Sequence, residues 1–65
     1  MNHHIDPAAV YAEARTLNAT YGIGAETEAL RRILEANSKG DAQQEAFWQE
    51  VSRALQLPGY FYPGL

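Results

Sequence analysis

Ser38-Lys39-Gly40-Asp41-Ala42-Gln43-Gln44 sets a helix stop directly against a helix start. Glycine takes the left-handed backbone conformation without Cβ strain, so Gly40 suits the position just past a helix end. Asp41 then reads as an N-cap, whose carboxylate accepts from the orphan N–H groups of the next helix. Gln44 stands three positions on. Together they form a capping box with Asp replacing the usual Ser or Thr. Lys39 follows the last turn of the first helix, where the macrodipole favours a cation. So short a connection makes the two helices spatial neighbours, roughly antiparallel.

Downstream of this turn, Phe47, Trp48, Val51 and Leu55 recur at helical spacing. They predict an inward face, with Glu45, Gln49, Glu50 and Arg53 turned away. Pro58 disfavours helical geometry at Leu57, which ends the helix near Gln56. Upstream, a helix is predicted from Gly24 or Ala25 to about Ser38. Its expected apolar stripe is Ala29, Leu30, Ile33 and Leu34, with Asn37 next on that face. Glu26 and Glu28 occupy its first turn, where anions are favoured. Glu28 and Arg32 are four apart, in the better orientation for an ion pair.

Asp6-Pro7 is the third start signal. Asp caps the helix, and Pro at the first helical position loses nothing by lacking an N–H. Ile5 and Val10 have the spacing of a hydrophobic staple. Val10, Ala14, Leu17 and Tyr21 share one face, which predicts a helix over about 7–21. Gly22 closes it, and Ile23 is expected to fold back on Leu17. No strand alternation and no fixed-period repeat occurs in the sequence. The predicted fold is all-α: a small three-helix up-down-up bundle over residues 1–57, with an extended Pro/Gly/aromatic tail over 58–65.

A chain of 65 residues makes one small domain, with a stability of about 3–10 kcal/mol. Apolar residues make up 46%, enough to argue against disorder. There is no Cys, so neither disulfide nor thiolate chemistry is available. Five basic residues face eight acidic ones, a formal net charge of -3, which argues against wrapping a phosphate backbone. No apolar run approaches the roughly 20 residues of a membrane span. The first seven residues lack the cationic and apolar regions of a secretory signal, so a cytoplasmic protein is expected.

Catalysis requires an acid, a base or a nucleophile held in a cleft. His3 and His4 sit at a chain end, Ser38 and Ser52 lack a nearby base, and the carboxylates are scattered. A non-enzyme without cofactors is expected. Met1-Asn2-His3 has the third-position His that can wrap Cu(II) or Ni(II) in a square plane, but a solvated, frayed terminus is the expected state and no metal role is assigned. Arg31 and Arg32 are the only adjacent basic pair. They are expected to pair along their helix with Glu28 and Glu35.

Two features point to partners. Phe47 and Trp48 diverge by about 100° on a helix, so both cannot aim at one core centre: either both line a wide core face or one joins an interface. The tail, Leu57-Pro58-Gly59-Tyr60-Phe61-Tyr62-Pro63-Gly64-Leu65, carries three consecutive aromatics between turn-forming pairs. Aromatics are enriched at interfaces, and Trp48, Tyr60, Phe61, Tyr62 and Leu65 are the candidate partner-binding residues. The tail has two readings: closing over the bundle, or docking elsewhere.

The chain also resembles a set of short uncharacterised helical proteins of alphaproteobacteria. The matching residues are Tyr11, Ala14, Gly22, Ala25, Ile33, Gly40, Asp41, Trp48 and Val51, within about residues 10–55. The resemblance implies a bacterial cytoplasmic origin and no known activity.

The sequence therefore predicts a non-catalytic protein-binding module, an accessory subunit or a small regulator. Its partner is a protein, with a homodimer as one form. The alternative is a small DNA-associated regulator using the second and third helices as a helix-turn-helix-like pair. That reading is disfavoured because Glu45 and Glu50 face a single Arg53 on the would-be recognition helix.

Overall fold

A computed structural model of the chain describes residues 5–57. His3, His4, Tyr60, Phe61, Tyr62, Leu65 and the rest of the expected tail lie outside the described residues. The class is all-α: helix α1 (Pro7–Tyr21), a 3-10 turn (Gly22–Gly24), α2 (Ala25–Ser38) and α3 (Ala42–Gln56), with no strand among the described residues. Every pair of helices is in contact, and the α2–α3 contact is the most extensive.

Caps explain the starts of α1 and α3 and the end of α2, while the start of α2 has no side-chain cap. Asp6 Oδ1 accepts from the Ala8 N–H at 3.0 Å, with Pro7 in the first turn. Asp41 Oδ1 accepts from the Gln44 N–H at 3.0 Å. Gly40 has φ 72°, and its N–H donates to the Asn37 carbonyl at 3.0 Å while the Asp41 N–H donates to Ala36 at 2.9 Å. This is a Schellman closure. It also corrects the capping box. The Asp41 N–H that Gln44 would have accepted already points at Ala36, so the cap works in one direction only. Leu57 is extended, with ψ 125°, as a residue preceding proline must be.

The α1–α2 junction departs from expectation. Gly22 has φ 59° but ψ −125°, which leads into the 3-10 turn rather than back along α1. Ile23 is consequently fully exposed and does not fold onto Leu17. Tyr21, expected on the inward face, is also exposed.

The core joins all three helices: Val10, Ala14 and Leu17 of α1, Ala25 and Ala29 of α2, Val51 and Ala54 of α3. Ile5, Phe47, Trp48 and Leu55 pack around it, partly buried. Four of the seven core residues are alanines. The largest fully buried side chains are Leu17 and Val51. Small side chains let helix backbones approach closely, so this core is thin.

Candidate protein-interaction surface

Helix α2 positions the candidate site. Its buried residues are Ala25, Ala29 and Ala36, with Ile33 half-buried beside them. Leu30 and Leu34, expected in the core, are instead 53% and 62% exposed. Successive residues advance about 100° round a helix, so the leucine stripe lies about 140°, between a third and a half of a turn, from the alanine stripe. The α2 backbone can approach α1 and α3 more closely over alanine than over leucine, and the larger side chains are left outside. Ile23 and the exposed Thr27 extend the stripe toward the α1–α2 junction. Sequence reading missed this surface because it pooled the two stripes. Ala25-Ala29-Ala36 is a second set at helical spacing, but the same spacing in Ala8-Ala12-Ala19 of α1 is exposed, so spacing alone does not mark the buried face.

The opposite flank of α2 is charged and internally satisfied. Glu28 accepts from Arg31 at 2.7 Å and from Arg32 at 2.8 Å. These two guanidinium hydrogen bonds hold the Glu28 carboxyl down at about 2, and the same bonds raise the pKa of both arginines. Arg31 also approaches Glu35 at 3.7 Å, so the expected pairing along the helix is present. Lys39 lies 3.6 Å from Glu35, and Arg53 lies 3.8 Å from Glu50.

Trp48 is half-buried against the core. The Arg32 guanidinium stands 4.7 Å above its ring centroid, within cation–π range. Phe47 meets Trp48 edge to face, with ring centroids 5.1 Å apart at 82°. The two rings thus share one wide core face. The contact with Arg32 puts Trp48 on the flank of α2 away from Leu30. Of the five residues the sequence singled out, Trp48 alone is described; it is braced by its neighbours rather than presented freely. Glu45, expected to face away, is half-buried and accepts from the Asn37 amide at 3.2 Å, linking α2 to α3.

A groove of about 320 Å³ runs between the start of α1 and the end of α3. Ile5, Val10, Ala54 and Leu57 supply its apolar wall, with Glu50 and Arg53 at its edge. Among the described residues no group of three or more His, Asp or Glu stands close enough to hold a metal, and no helix is long and apolar enough to cross a membrane.

Compared with protein-family models, with curated proteins and with solved structures, the chain matches none.

Proposed function

We propose that this chain is a non-catalytic protein-binding module, a cytoplasmic accessory subunit or small regulator, folded as a three-helix up-down-up bundle. The observation that carries this is the outward placement of Leu30 and Leu34 on a helix that buries alanines instead. In so small a domain, two leucines left more than half exposed forgo about half of the roughly 1.5–3 kcal/mol that full burial of each is worth. A contiguous apolar stripe of that kind suits a protein partner. Trp48, Tyr60, Phe61, Tyr62 and Leu65 remain in the proposal on sequence grounds. The DNA-binding alternative is weakened by the carboxylates already held by Arg31, Arg32, Lys39 and Arg53, which would have to yield to phosphate.

The test is a Leu30→Ser, Leu34→Ser double variant, with melting and partner capture measured side by side. The expected result is a folded chain, destabilised by less than about 3 kcal/mol in total, that no longer captures its partner. Two core leucines would instead cost about 4–10 kcal/mol. That larger loss, or capture unchanged from the parent chain, overturns the proposal.

A further inference from the structure

Ile23, Thr27, Leu30 and Leu34 follow one another at spacings of four, three and four, the alternation of a two-helix seam. Thr27, Leu30 and Leu34 are all exposed on α2, and Ile23 precedes them on the adjoining turn. On α2 the stripe is a ridge on a convex helix, spanning about 10 Å from Thr27 to Leu34 at 1.5 Å per residue. Such a ridge fits a second ridge of the same kind, and a two-fold axis supplies one from another copy of this chain.

The flanking charges select an orientation. Glu26 lies on one side of the stripe and Arg31 on the other, five residues apart. When two identical helices run parallel about a two-fold axis, the left flank of one meets the right flank of the other. Glu26 of each copy then faces Arg31 of its mate, the pairing by which flanking positions set orientation in coiled coils. Antiparallel helices would bring like flank to like flank, setting Glu26 toward Glu26 and Arg31 toward Arg31. Glu26 has no ion pair among the described residues; Arg31 already holds Glu28 at 2.7 Å, but its flank sets Arg31, Arg32 and Lys39 against Glu28 and Glu35 and so keeps a positive charge toward Glu26 of the mate.

We infer that the Thr27-Leu30-Leu34 face of α2, with Ile23 beside it on the adjoining turn, is a self-docking surface, on which a second copy lies parallel and closes two Glu26–Arg31 pairs. This rests on reading that face as a docking surface and names its occupant. Four side chains, three of them on one helix, cover only part of the roughly 800 Å² per partner of a standard interface. The dimer is therefore weak and reversible.

The chain contains no cysteine, so a single introduced one reports the geometry. In a parallel pair Thr27 faces itself. A full-length Thr27→Cys variant, mildly oxidised, should form a disulfide-linked species of twice the chain mass. An Ala19→Cys control, exposed on α1, should not. Adding Leu30→Glu to Thr27→Cys should abolish the cross-link. Adding Glu26→Lys should slow it roughly two- to thirtyfold, as two lost exposed ion pairs imply. Cross-linking of Thr27→Cys no faster than the Ala19→Cys control overturns the inference, as does a rate indifferent to Leu30→Glu or Glu26→Lys. If Thr27→Cys stays monomeric while the Leu30→Ser, Leu34→Ser variant loses partner capture, the face docks a different protein; the proposed function then stands and the self-docking inference falls.

Discussion

The two faces of α2 carry opposite size patterns. The face turned into the domain is Ala25, Ala29 and Ala36; the face turned out carries Leu30 and Leu34. Hydrophobicity alone would reverse them, since burying a leucine releases more apolar area than burying an alanine. What decides the matter is packing. A chain with few large core residues fills its interior best by bringing backbones together, and alanine permits that approach. Apolar character therefore identifies which residues want burial, while volume identifies which of them the interior can take.

The strongest way to break this comparison is to truncate one leucine from each environment. Leu17→Ala empties a fully buried site and should cost about 2–5 kcal/mol, much of what a domain this size has. Leu34→Ala should cost less than about 1 kcal/mol, because most of that side chain already meets water. Urea unfolding of the two variants measures both. Equal losses would show that the outer leucines carry the fold after all.

The converse change should be next in size. Ala29→Leu puts a larger side chain on the inward face and forces α2 away from its neighbours, at about 1–3 kcal/mol. If melting showed Ala29→Leu to be neutral or stabilising, the thin core would have room and close approach would not be what selects alanine.

Asp41→Ala sharpens the comparison by separating local from tertiary control. The cap satisfies the Gln44 N–H, and its loss should cost about 0.5–2 kcal/mol. The Schellman bonds of Gly40 and Asp41 use backbone N–H groups and survive the change, so α2 should keep its length and its inward face. Amide exchange at Ala29 and Leu30, unchanged in relative protection, is the expected readout.

The charged flank should have the smallest effect. Glu28 is held at about 2 when folded, against about 4.3 for an unperturbed glutamate. A carboxyl depressed by folding stabilises the fold above its unfolded value, and that contribution is lost as pH falls toward 2. Glu28→Gln should therefore flatten the fall in melting temperature between about pH 5 and pH 2. The change should be slight, because exposed pairs are screened by water and salt. An unchanged acid profile would show that these bonds add nothing to the folded state.

Most helix bounds were legible because their causes are short-range. Asp6-Pro7, Gly40-Asp41 and Leu57-Pro58 each act through atoms a few residues apart, and α1 begins, α2 ends and α3 begins and ends within a residue or two of where those signals put them. The inward face of α1 through Leu17 was legible too, since Val10 and Leu17 put the larger aliphatic side chains on it, while the competing stripe of Ala8, Ala12 and Ala19 is exposed. At Gly22 the local signal was ambiguous. A positive φ is required there, but ψ sets whether the chain returns along α1 or turns away, and composition does not state ψ.

The candidate surface was not legible, for a different reason. Residues 25–36 contain two apolar stripes, and a helix taken alone has no cause to prefer either. The choice depends on how closely α1 and α3 can approach, which is set by side chains distant in sequence such as Ala14, Leu17, Val51 and Ala54. The sequence by itself determined the starts of α1 and α3 and the stops of α2 and α3, through contacts between near neighbours. Which face of α2 meets the interior, and which is left for a partner, only the tertiary structure decided, because close packing depends on volumes contributed by the whole chain at once.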